Sequence, residues 1–389
     1  MSENRYGLAV RNLWALEPGL RFLNHGGYGA TPVVIQAEQA RLRAQMEQNP
    51  PRFLSRLLPG LLREAAGVLA EFVGTAPDRL AFVTNATAGV NAVLRALDFA
   101  PGDEILHTDH IYNAVRQTLR HVAGQTGAVC VEAHIGMPVT GPTQILDAIT
   151  AACTPRTKLM VIDHVASASA VEFPVAVIAA FCRANGIRLL VDGAHAPGLL
   201  ELDIDAIDAD WYVGNCHKWL CAPKGAGFIT ISARDTPVIH PPVLSHAYGT
   251  GFVPEFDWTG TQDPTAFLAV PAAIGLHASL GGADLRARNR TLAAALAQTI
   301  AADLGTSLGA DPAQFHAMVT IALPTELASL AAVRHIQAWL YDHHHMEAVV
   351  TFIAGRLYLR ISVQAYTVAE DYEGIGQALR EAIAACPVP

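Results

Sequence analysis

The stretch "NCHKWLCAPKGAGF" (215–228) sets a histidine and a lysine side by side, His217-Lys218, in a segment with little other charge. A solvated lysine has no task there, whereas a lysine held in a pocket beside a histidine is a candidate catalytic amine. What precedes it decides the fold. "DWYVG" (210–214) is a short apolar run, and similar runs recur upstream: "LAFVT" (80–84), "EILHT" (104–108), "AVCVEA" (128–133), "KLMVID" (158–163) and "RLLVD" (188–192). Helical stretches at 86–97, 143–152 and 174–185 lie between them, an alternation that predicts an α/β fold with a parallel sheet. "GAGFITIS" (225–232) adds one more strand, free to run against the others.

This repetition ends near residue 275. A helix (284–303), a strand (316–323), a helix (326–341), the strand "RLYLRISV" (356–363) and a last helix (369–385) then predict a smaller α+β domain. The expected division is 20–275 for the large domain, with 1–19 and 276–389 forming the small one. "TPVVIQAEQARLRAQMEQ" (31–48) reads as a helix capped by Thr31, with Pro32 at its first position, packed between the two. "NPPRFLSR" (49–56) reads as a turn carrying Arg52 and Arg56, placed to meet an acidic substrate tail, a partner subunit or solvent.

Composition narrows the classes. The chain has 389 residues, 51% hydrophobic and 16% charged, enough for a large buried core. No apolar run reaches the roughly eighteen residues of a membrane span, and "MSENRYGLAVRNLW" lacks the basic-then-apolar pattern of a signal peptide. Six cysteines without CxxC spacing suit a reducing cytoplasm. A net charge of -9 without a basic cluster argues against nucleic acid as partner. The expectation is a cytoplasmic enzyme with a small-molecule substrate.

In parallel α/β sheets ligands sit beyond the carboxyl ends of the strands. Asp163 and His164 follow "KLMVI"; Asp192 and His195 follow "RLLV". Asn215, His217 and Lys218 follow "DWYVG", and Asp109, His110 and Tyr112 follow "EILHT". In "TNATAG" (84–89), Asn85, Ala86 and Thr87 open a helix, offering free N–H groups and a hydroxyl to an anion; taken alone, this is also an ordinary capped helix. An anion cradle, a buried amine and a strand-end carboxylate are together the parts that hold pyridoxal 5'-phosphate. Lys218 would condense with its aldehyde, and Asp192 would pair with the ring nitrogen, making the ring an electron sink. His195 would meet the ring phenolate, Thr87, Asn215 and His217 the phosphate, and Tyr112 or His110 would stack on the ring.

Seven motifs carry a family resemblance across nearly the whole chain: "FLNHGGYGATP" (22–32), "FVTNATAGVNAVL" (82–94), "TDHIYNAV" (108–115), "VDGAHAPG" (191–198), "NCHKWLCAPKGAGF" (215–228), "GTQDPTAF" (260–267) and "LRISVQAYT" (359–367). In this order they resemble the class V aminotransferases, a branch of the fold-type I pyridoxal-phosphate enzymes, and within them the isopenicillin N epimerase-like group. The resemblance implies a mainly parallel seven-stranded sheet in the large domain. It implies Lys218 as Schiff-base lysine, Asp192 as pyridinium partner, His195 as phenolate contact and Tyr112 rather than His110 as stacking ring. It further implies a homodimer with shared sites, Thr261 reaching the neighbouring subunit's phosphate. Arg360 would clamp the substrate carboxylate, and Asn24 and His25 would line the substrate side.

Strand periodicity bears on the arginine. Leu357, Leu359, Ile361 and Val363 alternate with Arg356, Tyr358, Arg360 and Ser362, which places both arginines on the less apolar face, either toward a carboxylate or toward solvent at an edge. Departures from the family pattern are Ile111 and Asn113. The segment 343–353 also lacks the cysteine that desulfurases carry there, and Cys216 and Cys221 read as small packing residues. His343, His344 and His345 point apart in either secondary structure, so they suit one metal poorly and belong at the substrate entrance or the surface. The implied chemistry is at the Cα of an amino acid, epimerase- or aminotransferase-like, with β-elimination from cysteine conjugates by a carbon–sulfur lyase as the alternative. A metal-dependent hydrolase built from Asp109, His110, Asp163, His164, Asp192, His195 and His217 is the reading from another class, and a non-catalytic binding module a third.

Overall fold

In the computed structural model, which describes residues 5–234 and 236–387, Leu80–Val83 (β1) is buried at all four positions. Residues 1–4 of the amino-terminal stretch and of the small-domain expectation lie outside the described residues. Burial on both faces is what a strand covered by helices on each side requires. The same holds for Glu104–Thr108 (β2), and nearly so for Thr157–Asp163 (β4), Arg188–Gly193 (β5), Trp211–Asn215 (β6) and Gly227–Ile231 (β7). Val129–Ala133 (β3), at one edge of the sheet, is more open. The seven strands stand in the order β1-β7-β6-β5-β4-β2-β3. All neighbours pair parallel except β7, which runs against both β1 and β6.

The helices are Val33–Gln48 (α1), Leu58–Val73 (α2), Ala86–Ala96 (α3), Asn113–Thr126 (α4), Pro142–Ala152 (α5) and Val175–Ala184 (α6). Ala283–Leu304 (α7), Leu330–His344 (α8) and Ile375–Ala384 (α9) follow. A second, antiparallel sheet contains Met318–Ala322 (β8), Val349–Ile353 (β9) and Arg356–Ser362 (β10), with β10 in the middle. Leu189 and Val191 of the first sheet share one apolar cluster with Met318 and Leu359 of the second. That shared packing fixes β10 relative to the mouth of the large sheet.

Three local expectations need correction. Helix α1 starts at Val33 with Pro32 as an uncapped N-cap residue, because the Thr31 hydroxyl donates instead to the Ala222 carbonyl at 3.2 Å. The helix buries only Ile35 and Leu42 and packs on helices at 265–268 and 270–279. The segment 49–56 is not a turn: Asn49 caps a helical stretch that passes through a π-type turn at Phe53–Leu57 into α2, leaving Arg52 and Arg56 exposed. The two arginines of the 356–363 strand also differ, since β10 is central rather than an edge. Arg356 is exposed at its start and Arg360 is buried within it.

Candidate active site

Strand β6 ends at Asn215, and the chain turns back at once: the Cys216 N–H bonds the Ala226 carbonyl and the Ala222 N–H bonds the Cys216 carbonyl. Lys218 sits in this loop. Its carbonyl accepts from the Cys221 N–H and meets His25 Nε2 at 3.1 Å. Gly29, at φ +69°, presses on the same loop so closely that a Cβ there would stand 2.0 Å from the His217 carbonyl oxygen. The backbone that carries the amine is therefore clamped from two sides.

The amine itself faces an imidazole, with Lys218 Nζ 3.0 Å from His195 Nε2. Trp219 Nε1–H, which can only donate, points at His195 Nδ1 at 3.2 Å. Burial, Lys218 and Arg360 all hold the imidazole well below its usual range, so the ring is neutral. With Nδ1 accepting, the ring proton lies on Nε2, and Lys218, once deprotonated, offers its lone pair to it. Burial brings the lysine down to about 8, opposed by Asp192 and aided by Arg360. An amine in that state is a ready nucleophile and base.

Lys218, His195 and Asp192 line a cavity of about 730 Å³ together with Asn85, Ala86 and Thr87. Asn215, His217 and Tyr112 complete the predicted set on its walls. Helix α3 opens on the cavity. Asn85 caps the Ala88 N–H at 2.9 Å and Asn215 Oδ1 takes the Ala86 N–H at 2.8 Å, which leaves the Thr87 N–H and hydroxyl for an anion at the positive end of the helix. The His217 Nδ1–H bonds the Ala226 carbonyl at 3.1 Å.

Arg360 reaches the same region from β10. Its Nη1 donates to the Ser167 carbonyl at 2.6 Å, and Ser167 lines the cavity. Its Nη2 lies 3.4 Å from Asn24 Oδ1, and its buried Nε has no partner. No carboxylate forms an ion pair with it among the described residues. Burial brings the guanidinium down to about 10.

Other expected residues fall elsewhere. His110 turns into the core, with Nδ1 2.8 Å from Ser169 Oγ and its edge on Phe173, so the ring on the cavity wall is Tyr112. His25 is fully enclosed between Tyr366, Gln364 and the Lys218 carbonyl; it supports the lysine loop and does not line the substrate side. Asn24 lines no part of the cavity but holds Arg360. Thr261 is exposed and apart from the cavity. His343 stacks on Trp339 and His344 meets Glu381 at 2.9 Å, at the end of α8 and away from the site. Gly27, Tyr28, Ser167, Lys224 and the carboxylate of Asp163 also line the cavity; the sequence marked Asp163 by its strand end and gave no distinctive signal for Ser167. The hydrolase constellation is not assembled: His164 bonds the Tyr212 hydroxyl, His110 bonds Ser169, and no metal-binding group of three ligands occurs among the described residues.

Residues 32–373 match the model of the aminotransferase class-V family. The chain belongs to that family. Isopenicillin N epimerase of Amycolatopsis lactamdurans is 33% identical, over 96% of this chain and 97% of its own. Putative L-cysteine desulfhydrase 1 of Oryza sativa subsp. japonica is 30% identical, over 95% of this chain and 84% of its own. A solved complex of the cystine C-S lyase C-DES with cysteine persulfide superposes with a TM-score of 0.79 at 22% identity, covering 93% of this chain and 97% of C-DES. A variant of C-DES has been solved with glycine covalently linked to its PLP cofactor.

Class V membership makes this a pyridoxal-phosphate enzyme of fold type I. The site fits the cofactor on its own terms: it combines an amine whose affinity for its proton is lowered, an open helix N-terminus and the buried Asp192 carboxylate on one cavity. Gly227 keeps the cradle close, since a Cβ there would come within 2.8 Å of Asn85 Cα.

Proposed function

We propose that this class V enzyme acts at the Cα of an amino-acid substrate, removing and returning the Cα proton in an epimerase- or aminotransferase-like reaction. The observation that carries this is the pairing of two cations of different kinds: the half-buried amine of Lys218, brought down to about 8, and the buried guanidinium of Arg360, which has no counter-ion among the described residues. A substrate amino acid satisfies the second through its carboxylate, by a forked pair of charge-assisted hydrogen bonds. Pyridoxal 5'-phosphate, when bound, supplies an aldehyde for an amine and a ring that accepts electrons.

The chain's own groups then have defined tasks. Asp192 keeps the ring nitrogen protonated and His195 holds the phenolate oxygen. Thr87, Asn215 and His217 hold the phosphate. Lys218, once free, takes the Cα proton. Burial raises the Tyr112 phenol, so it stays protonated and serves as the proton source for a second face. Arg360, held by Asn24, orients the carboxylate.

β-Elimination is the second reading, supported by the desulfhydrase relatives. It needs no acceptor thiol on the enzyme, and none of the six free cysteines lines the cavity. The homodimer belongs to this proposal too: Thr261 lies exposed on the surface, as a residue serving a neighbouring subunit's phosphate must, and Val33, Val34, Val243 and Leu244 expose apolar surface. Six free cysteines support a cytoplasmic setting.

The test is incubation of the holoenzyme with L-amino acids and cysteine conjugates in deuterated water, following Cα deuteration, keto-acid formation and thiol release together. Cα exchange with inversion supports epimerisation, and thiol with keto acid supports the lyase. A yellow holoenzyme that yields none of the three overturns the proposal.

A further inference from the structure

Two carboxylates end adjacent strands on the cavity, and the roles above use only one. Asp163 and Asp192 are register partners on β4 and β5. Neighbouring strands run about 5 Å apart, so the two side chains leave the sheet next to each other. Both line the cavity, and they are only 3% and 4% exposed. Two full negative charges that close, out of water, repel too strongly to persist together.

Their surroundings differ. Asp192 Oδ1 accepts the Ala194 N–H at 2.9 Å, which favours its ionised form. Asp163 Oδ2 is buried and receives no hydrogen bond from the described residues. A bare carboxylate oxygen without a donor is costly; a proton placed on it turns an unmet acceptor into a donor. The charged and titratable groups facing the pair are Lys218, which is largely neutral above about 8, Tyr112, Tyr212 on the Asp192 side and, beyond Tyr112, Arg116. Arg116 is already committed to Glu132 and the Asp109 carbonyl. Lys218, charged only below about 8, is shared by both carboxylates, so it cannot neutralise two charges.

We propose that Asp163 is the protonated member of a single-proton acid pair with Asp192, donating its hydrogen to the Asp192 carboxylate and thereby holding that carboxylate ionised and aimed at the cofactor ring. Asp163 is a positioning residue in this arrangement. Burial, reinforced by Asp192, pushes Asp163 well above the ordinary carboxyl range, in keeping with this assignment.

The inference rests on Asp192 facing the ring, but its test reads the protein. Infrared spectroscopy of the holoenzyme at about pH 8, above where ordinary carboxyls titrate, is expected to show a protonated-carboxyl stretch. The band should move in D2O and on heavy-isotope labelling of aspartate carboxyl carbons, and vanish in Asp163→Asn. A labelled wild-type spectrum without the band, or a band surviving in Asp163→Asn, overturns the pair. Asp163→Asn keeps a donor, so it should bind the cofactor about tenfold more tightly than Asp163→Leu, the worth of one hydrogen bond to a charged group; equal affinities also overturn it. The labelled wild type decides the matter alone if neither variant folds. Absence of the band leaves the Lys218 chemistry standing, and failure of that chemistry leaves the band to be read.

Discussion

The loop after β6 and the middle of β10 each enclose a cation, and they treat it in opposite ways. Lys218 has Asp192 and Asp163 nearby, an imidazole at 3.0 Å and a lowered affinity for its proton. It can escape burial by becoming neutral. Arg360 cannot; a guanidinium keeps its charge, and the chain gives it only the Ser167 carbonyl and the side chains of Ser167 and Asn24. The first site is completed by losing a proton, the second by gaining an anion. Read together, they define a ligand with an amine-reactive end and a carboxylate.

The sharpest way to break this comparison is to remove the lysine. Lys218→Ala should lower turnover by about 10³ to 10⁴, the range of a lost acid–base group, and borohydride should no longer fix the cofactor to the chain. Stability should move the other way. A lysine whose folded pKa of about 8 lies below the 10.5 of the free side chain penalises folding while it is charged. That penalty is full below pH 8 and disappears as pH rises toward 10.5, so ligand-free Lys218→Met should be more stable than wild type near neutrality, by up to about 3 kcal/mol, and no different at the alkaline end. Thermal melts across pH would show it, and a uniform loss at every pH would contradict the neutral-amine reading.

Arg360→Met sharpens the other half. Losing a bidentate carboxylate contact should raise KM about 10²- to 10³-fold with a smaller change in kcat. Because the guanidinium is uncompensated before substrate arrives, the ligand-free melting temperature should hold or rise. A large loss of stability with an unchanged KM would mean that Arg360 is structural.

The same contrast shows what the sequence could reveal. Strand ends were legible because a buried apolar run followed by Asp, His, Asn or Lys leaves few other places for those side chains to go. The orientation of each was not. His110 and His195 both follow strands, yet Ser169 draws one inward and Trp219 aligns the other with Lys218. His25 turns away from the substrate side for the same reason, since its partner Tyr366 comes from the far end of the chain. Arg356 and Arg360 share a strand face in the pattern, and only the pairing of β10 with strands on both sides separates them. Helix α2 was not read from the sequence; its Pro59 stands in the first turn, where proline is tolerated.

Glycine packing gives a smaller effect. Gly29→Ala would set a Cβ 2.0 Å from the His217 carbonyl, at a φ that alanine tolerates poorly, so a destabilisation of about 1 to 3 kcal/mol is expected. The displaced strand of chain is the one carrying Lys218, so cofactor retention should fall with stability. A variant that loses stability but binds cofactor as before would separate the clamp from the site.

The smallest effect is expected at Asn215, which joins β6 to the start of α3. Its Oδ1 takes the Ala86 N–H, while Asn85 independently caps Ala88. Asn215→Ala should therefore cost only about 1 kcal/mol in the ligand-free protein, the worth of one helix-terminal bond, because the second cap remains. With cofactor the result should differ: an unpaired Ala86 N–H becomes an extra donor at the mouth of α3, but the amide that aligned the helix with the lysine loop is gone. If alignment matters more than donor count, cofactor affinity falls and the effect of added inorganic phosphate on the melting temperature shrinks with it. If affinity rises instead, the cradle is limited by donors, and Thr87 alone positions the anion.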